Sequence, residues 1–180
     1  MKGCMAIDRQ KTETVHWHAV FTASRAEKKV RDRLEELGVE CFLPVQTVLR
    51  QWTYRKSRVV VPVIAGLVFV RVGRQEQAKV LQTKGVVAFL RLKGEAGAAV
   101  IPDKQMEDFR FLLDFSEEAV EMTNENIKAG DLVRVVKGSL RGMEGELIRH
   151  KGVTKVLVRI DMLGCAMVNI PASFVEKLNK

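Results

Sequence analysis

A segment that is both basic and aromatic carries the most distinctive chemistry of this sequence. Residues 50–58 read Arg-Gln-Trp-Thr-Tyr-Arg-Lys-Ser-Arg and contain four cations and no acid. Cationic side chains bind phosphate groups, and rings such as those of Trp52 and Tyr54 can stack on unpaired bases. We therefore expect this loop to contact nucleic acid through Arg55 and Lys56. The alternative is a tryptophan that anchors a hairpin to a sheet.

A predicted helix carries further cations. Ser24 and Glu27 have the spacing of a capping box, so we expect the helix to begin there and to continue to about Leu37. Lys29 and Arg33 are spaced i and i+4, which places both on one helix face where they could meet a phosphate backbone. The alternative is a solvated helix surface on which the neighbouring acids balance these cations.

A long apolar run organises the first half of the chain. Residues 59–72 read Val-Val-Val-Pro-Val-Ile-Ala-Gly-Leu-Val-Phe-Val-Arg-Val, which suits a strand buried on both faces. Pro62 and Gly66 predict two strand pieces with a break near residues 64–66. The other elements expected here are strands at 15–22, 39–43 and 86–92 and helices at 75–82 and 102–115. This βαββαβ order with a trailing helix predicts an open α/β sandwich.

The last 50 residues have a different pattern of predicted elements. Short strands are expected at 131–136, 144–150, 155–161 and 166–170, separated by glycine-containing turns. Such a pattern predicts a small SH3-like β-barrel, which makes the whole chain α+β. Residues 172–178 show a helical period that is too short for a helix of consequence.

The charge distribution predicts the domain boundaries. The net charge is +8, which favours polyanionic partners. Residues 1–113 contain 20 Lys/Arg and 12 Asp/Glu, residues 114–126 contain five acids and no cation, and residues 127–180 contain 10 cations and five acids. We therefore expect a tail (1–14), a first domain (15–113), an acidic linker (114–126) and a second domain (127–180).

Several classes of function are disfavoured. The apolar runs are shorter than the roughly 20 residues that span a bilayer, and the N-terminus lacks a signal-peptide core. The three cysteines form no CxxC pair, and Cys41 and Cys165 have the apolar neighbours of core residues. These features predict a cytoplasmic protein with no membrane partner.

The sequence also lacks the residue patterns of catalysis. His16, His18 and His150 form no metal-binding motif, and neither a Walker loop nor a nucleophile elbow is present. We expect a monomeric binding protein with no catalytic residue, no metal and no cofactor.

Two sets of motifs resemble a known family. Residues 130–145, 162–166 and 174–177 are similar to a KOW domain, a segment that also occurs in ribosomal proteins. The N-terminal matches to the NusG family of transcription elongation factors are Trp17 and residues 25–30, 39–44, 65–70 and 83–86. Together these segments span most of residues 15–178 and resemble an NGN domain followed by a KOW domain. Residues 49–56 look most like the specialised UpxY-type paralogues, which are related to RfaH.

The resemblance implies two partners for the first domain. It places the contact with the clamp helices of the largest subunit of RNA polymerase on the strand that holds Leu67 and Phe69, as an exposed apolar groove. The alternative is that both side chains fill the core. It also places Lys29, Arg33 and Lys84 opposite the exposed non-template DNA strand.

The resemblance implies a protein partner for the second domain, such as Rho or a small-subunit ribosomal protein. Apolar residues at loop positions are the candidate contacts; they are Leu140, Met143, Met162 and Leu163. The alternative is that they pack at the edge of a tiny barrel. The valine-rich strands predict a barrel in every state, unlike the refolding KOW domain of RfaH, and they leave domain docking open.

These features predict an elongation and antitermination factor for specific long operons, such as those for capsular or other surface polysaccharides. A general housekeeping NusG-type factor and a ribosome-associated RNA-binding KOW protein are the alternatives.

Overall fold

The chain forms three sheets and three α-helices within the part that the structure describes. A computed structural model of the protein describes residues 14–52, 55–123, 125 and 127–178. The elements of the first part are β1 (His16–Thr22), α1 (Glu27–Glu36), β2 (Glu40–Phe42), β3 (Val45–Trp52), β4 (Arg55–Pro62), β5 (Leu67–Val72), α2 (Gln77–Gln82), β6 (Val86–Phe89) and α3 (Asp103–Phe115). Those of the second part are β7 (Glu121–Thr123), β8 (Asp131–Val135), β9 (Glu144–His150), β10 (Val153–Ile160), β11 (Gly164–Asn169) and β12 (Val175–Lys177).

A four-stranded antiparallel sheet with the order β2-β5-β1-β6 forms the centre of the first part. Side chains of β1 alternate between its faces. Val20 belongs to one core cluster with Val30 of α1 and Val80 of α2. Trp17 and Ala19 belong to a second cluster on the face that α3 covers. The sheet is therefore enclosed by helices on both faces, which is why β5 is almost entirely buried.

The apolar run breaks where the sequence predicts, but the predicted capping box is wrong. Gly66 has φ +72°, a conformation that favours glycine, and it is the last residue of the turn that joins β4 to β5. Helix α1 begins at Glu27 without a side-chain cap. The Glu27 carboxylate is buried and accepts a 2.8 Å hydrogen bond from the Gly66 backbone N–H instead. Because the Glu27 carboxylate makes this tertiary contact, it does not form the predicted capping box.

The basic segment expected to be a loop is part of a β-hairpin. Strands β3 and β4 pair in eight successive positions, from Val45 opposite Pro62 to Trp52 opposite Arg55. They form a separate two-stranded sheet. The observed order of elements therefore contains two more strands than the predicted βαββαβ order. Local propensity did not show this, because β3 mixes apolar and polar residues without a clear period.

The second part is a six-stranded antiparallel sheet with the order β12-β8-β9-β10-β11-β7. The predicted strands are present within one or two residues of their expected ends. The segment expected to be a linker supplies the edge strand β7, in which Met122 pairs with Ala166 of β11. Residues 172–178 form a short 3₁₀ turn followed by β12 rather than a helix. No α-helix occurs among the described residues after 115.

Helix α3 joins the two parts through a shared core. Its buried residues Met106, Phe109 and Leu112 belong to the same cluster as Phe69 of β5 and Ile160 of β10. Two hydrogen bonds of 2.9 Å bridge the parts: the Gln105 side chain accepts from the Asp161 backbone N–H, and the Gln46 side chain accepts from the Val120 backbone N–H. The two predicted domains are therefore docked on one another.

Candidate nucleic-acid and protein-binding surfaces

Helix α1 and the turn before β6 bring the three predicted DNA-contacting cations together. The Arg33 guanidinium donates a 2.6 Å hydrogen bond from Nη1 to the carbonyl oxygen of Lys84. Gly85 has φ +101°, and a Cβ atom there would lie 2.8 Å from Cγ2 of Val30, so the turn packs directly against the helix. Lys29 and Lys84 are exposed. The result is a surface on which their two ammonium groups are free to meet a phosphate backbone.

Asp32 and Glu35 of α1 are engaged elsewhere on the helix. Arg31 donates a 2.9 Å hydrogen bond to the Asp32 carboxylate and lies 3.9 Å from that of Glu35. The hydrogen bond that Arg31 donates to Asp32 raises the pKa of Arg31. Since these acids pair with Arg31, they are not the partners of Lys29 or Arg33. This arrangement favours a binding surface over a balanced, solvated one.

The β3–β4 hairpin separates its cations onto two faces. Paired residues of an antiparallel ladder share a face, and successive residues alternate. Lys56 and Arg58 therefore lie on one face, opposite Gln51 and Leu49 respectively. Arg55, the other predicted contact, lies on the opposite face.

The face that bears Lys56 is the open one. Its residues from position 47 to position 60 are exposed, including Leu49 at 71% and Val60 at 47%. The opposite face contains half-buried residues such as Val48 and Val59. Tyr54 and the Trp52 side chain, predicted to stack on bases, lie outside the described residues. The sequence thus located the basic segment but not the separation of Arg55 from Lys56.

The predicted polymerase-contact residues are buried. Leu67 is 2% exposed and Phe69 is 0% exposed. The Phe69 ring lies 6.2 Å from that of Phe42 and 6.0 Å from that of Phe109 in α3. The expectation of an open groove at these two side chains is therefore wrong, because α3 covers this face of the sheet. Their role in polymerase binding stays a prediction.

An exposed aromatic residue lies beside this buried pair. Phe21 is 42% exposed, and it is paired with Leu67 on one side and Ala88 on the other. By strand alternation it lies on the same face as Trp17 and Ala19. Sequence reasoning did not single out Phe21, although its position at the end of β1 next to the polar Thr22 was a usable signal.

The predicted contacts of the second domain divide into buried and exposed residues. Leu140 is 6% exposed and Met143 is 4% exposed, so the expectation that they face solvent is wrong. Both belong to the core cluster that holds Val135, and within their turn the Met143 N–H donates to the Leu140 carbonyl oxygen at 3.1 Å. Met162, with φ +67°, is 36% exposed, and Leu163 is half-buried.

Two further titratable groups, His18 and Cys41, serve the fold. His18 is buried, and its Nδ1 lies 2.8 Å from the Ala99 carbonyl oxygen. Burial lowers the pKa of His18 and raises that of Cys41 to about 11. Across the described residues, no group of three His, Cys, Asp or Glu side chains could hold a metal ion. None of the helices in that part of the chain is long and apolar enough to cross a bilayer.

Comparison with known families decides the broad assignment. The profile of the family described as "Transcription termination factor nusG" matches residues 15–110, which is more than half of the chain. The chain belongs to the NusG family. Members of this family are transcription factors and not enzymes, in agreement with the prediction from sequence. The match ends before the six-stranded sheet begins, so the KOW assignment of that part stays a prediction.

Solved structures of the NusG and Spt5 type are also similar. A structure described as "Domain interaction in Thermotoga maritima NusG" shares 22% identity, covers 92% of this chain and 98% of that chain, and has a TM-score of 0.50. The MjSpt4:Spt5 complex in conformation A shares 18% identity over 91% of this chain and 99% of that chain, with a TM-score of 0.27. The first likeness supports the NusG fold. No curated protein sequence matches this chain.

Proposed function

We propose that this NusG-family protein is an elongation and antitermination factor that binds RNA polymerase and contacts exposed DNA. The observation that carries the proposal is the cation surface of Lys29, Arg33 and Lys84, which lies within the region matched by the family. Contacts from lysine to phosphate give salt-dependent affinity without sequence preference, which suits a factor that moves along DNA with polymerase.

The polymerase contact that we propose is apolar. Phe21 offers exposed aromatic surface at the sheet face where Leu67 is buried, and aromatic residues are frequent energetic anchors of interfaces. Leu67 and Phe69 would support this surface from the neighbouring strand β5. The partner would be the clamp helices of the largest polymerase subunit.

The protein would act on specific long operons, such as those for capsular or other surface polysaccharides. The β3–β4 hairpin supports this specialisation, because residues 49–52, 55 and 56, which belong to the segment that looks like the UpxY-type paralogues, pair within its ladder. The second domain would be a KOW module that docks Rho or a small-subunit ribosomal protein. Met162 is its exposed apolar candidate contact.

Genome-wide occupancy of the full chain and of polymerase tests this function. We expect the protein at a few long operons, with less polymerase in their distal parts when the protein is absent. Occupancy at nearly all transcription units would instead identify a general housekeeping factor. Salt-sensitive retention of RNA without retention of polymerase would identify a ribosome-associated RNA-binding protein.

A matched pair of variants tests the apolar contact in a pull-down of core polymerase. Phe21→Ser should lower retention at least tenfold. Val87→Ser is the control, because Val87 is 64% exposed on the neighbouring strand and lies on the opposite face from Ala88. Equal retention of both variants would refute the contact at Phe21.

A further inference from the structure

A second group of cations lies at one end of the C-terminal sheet. Ion pairs occupy four cations of this part: Arg134 with Glu144, Lys155 with Glu121, Arg159 with Glu146, and Lys177 with Asp131. Three cations that form no ion pair with a described residue lie together, and all three are exposed; they are Lys128, Arg149 and Lys151. Two further exposed cations of this part, Lys137 and Arg141, lie outside this group, so three of the five cations without a described ion-pair partner lie together.

The hairpin between β9 and β10 presents two of these side chains. His150 pairs with Val153 across a two-residue turn in which Lys151 has φ +49° and Gly152 has φ +82°. Two successive residues with positive φ are typical of the tight type I′ turn. Arg149 Nε lies 3.4 Å from the Gly152 carbonyl oxygen, so the turn also orients that guanidinium.

Gly130 brings the third cation to the same place. A Cβ atom at Gly130 would overlap the Leu147 carbonyl oxygen, so no other residue fits there. The segment before β8 therefore runs directly against β9. Since Asp131 pairs with Leu147, antiparallel pairing carries Lys128 towards Arg149 and His150.

These segments border an open cleft of about 670 Å³ that is lined by residues 125, 127–131 and 147–150. Two acids line it, but the Asp131 carboxylate is 2.9 Å from Lys177 Nζ. Glu121 lies near the hairpin tip, and its carboxylate is 2.7 Å from Lys155 Nζ. Glu125 is the remaining acid of the cleft, so the three free cations leave the local charge positive.

This surface lies at the opposite end of β10 from the contact with the docked N-terminal part. The contact with α3 lies at the far end of β10, where the Asp161 N–H donates to Gln105. The hairpin tip lies at the beginning of β10, an eight-residue strand. At about 3.3 Å per residue the two ends are roughly 23 Å apart, so the tip is accessible while the two parts remain docked.

We infer that Lys128, Arg149 and Lys151 form a second nucleic-acid contact, which binds the phosphate backbone of a strand passing the C-terminal sheet. Lys128 and Arg149 line the open cleft, and Lys151 follows its lining residue His150, an arrangement that suits a polyanionic backbone. The described lining has no phenyl or indole ring on which bases could stack. Binding at this site is therefore independent of base sequence. It is also separate from the cations of α1 and the hairpin β3–β4.

Fluorescence anisotropy of the full chain tests this contact. The background is Lys29→Gln/Lys56→Gln/Arg58→Gln/Lys84→Gln, so that the N-terminal cations do not mask the second site. The probes are labelled 20-nucleotide RNA, DNA of the same sequence, and the DNA duplex. Lys128→Gln/Arg149→Gln/Lys151→Asn should lower the affinity at least tenfold at low salt and should reduce the slope of log K against log salt by about 2 for the single strands.

The control is Lys104→Gln/Lys137→Gln/Arg141→Gln, which removes the same charge from exposed positions outside the cleft. It should change the affinity less than twofold. Weakening by the first variant with any of the probes supports the inference, and the probe that loses most identifies the strand type. Equal slopes for both variants would overturn it, as would displacement of RNA by poly-L-glutamate as effectively as by unlabelled RNA.

Discussion

The guanidinium of Arg33 lies 2.6 Å from the carbonyl oxygen of Lys84, although 51 positions separate the two residues in the sequence. This hydrogen bond ties α1 to the turn before β6. It uses Arg33 as a structural clamp and leaves Lys29 and Lys84 as the free charges of the surface. The two lysines and the arginine therefore have different roles, which a spacing argument on the helix alone does not separate.

The free lysines should account for the salt dependence of DNA binding. Lys29→Gln/Lys84→Gln removes two exposed charges without touching the Arg33 clamp. We expect the slope of log K against log salt for single-stranded DNA to fall by about 1.4, since each phosphate contact contributes about 0.7. Anisotropy titrations at several salt concentrations measure it.

The control for these lysines is Lys104→Gln/Lys177→Gln. Each residue pairs with a carboxylate, Lys104 with Asp108 at 2.6 Å and Lys177 with Asp131 at 2.9 Å. An unchanged slope in Lys29→Gln/Lys84→Gln would show that the N-terminal surface does not bind DNA.

The open face of the β3–β4 hairpin should contact nucleic acid and the opposite face should not. Lys56→Gln/Arg58→Gln changes the open face, and Arg50→Gln/Arg55→Gln changes the other face with the same loss of charge. We expect the first pair to reduce the salt slope by about 1.4 and the second to leave it within error. Equal effects from both pairs would contradict a contact through one face.

The stability of the protein should depend on the ion pair between Glu121 of β7 and a buried lysine. Lys155 is 5% exposed, and its Nζ lies 2.7 Å from the Glu121 carboxylate. Glu121→Gln leaves a buried ammonium without its counter-charge, so the free energy of unfolding should fall by about 1–3 kcal/mol. Lys155→Met should cost less, because it removes the buried charge itself. Urea denaturation measures both.

The exposed Glu117 outside β7 is the matched control for this pair, and Glu117→Gln should leave stability unchanged. The hydrogen bond from Lys155 holds the pKa of Glu121 below its ordinary value. The stabilisation is therefore present above the unfolded-state pKa and is lost as the pH falls through the folded-state pKa. A loss on Lys155→Met as large as that on Glu121→Gln would refute the buried-charge explanation.

Strong local patterns in the sequence predicted the positions of several strands, whereas contacts between distant segments could not be predicted from it. The apolar run and the glycine turns of the last 50 residues gave the positions of β5 and of β8 to β11, because periodicity and turn chemistry are local signals. Glu27 was misassigned because its partner is the Gly66 N–H, 39 positions away. Nothing in the residues around Glu27 indicates that partner.

The candidate binding surfaces show the same limit of prediction from sequence. The basic segment at residues 50–58 was visible in the sequence, but its division into two faces follows from the eight-pair register of β3 and β4. The exposure of Leu67, Phe69, Leu140 and Met143 depended on what covers them. Helix α3 and the rest of the core cluster that holds Val135 supply that cover, and both are tertiary features.

His18 should make the stability of the protein depend on pH. Burial lowers the pKa of His18 in the folded state, partly offset by the Ala99 carbonyl oxygen 2.8 Å from Nδ1. The unfolded state therefore binds the proton more readily, and the free energy of unfolding should fall as the pH drops below about 6.5, the ordinary histidine value.

His18→Asn keeps an N–H donor but does not titrate, so the loss of stability between pH 7.5 and 5.5 should be smaller than in the wild type. Urea denaturation at both pH values measures the difference. His150→Asn, in β9 of the second part of the chain, is the control and should retain the wild-type loss. An unchanged pH dependence in His18→Asn would show that the buried imidazole is not its source.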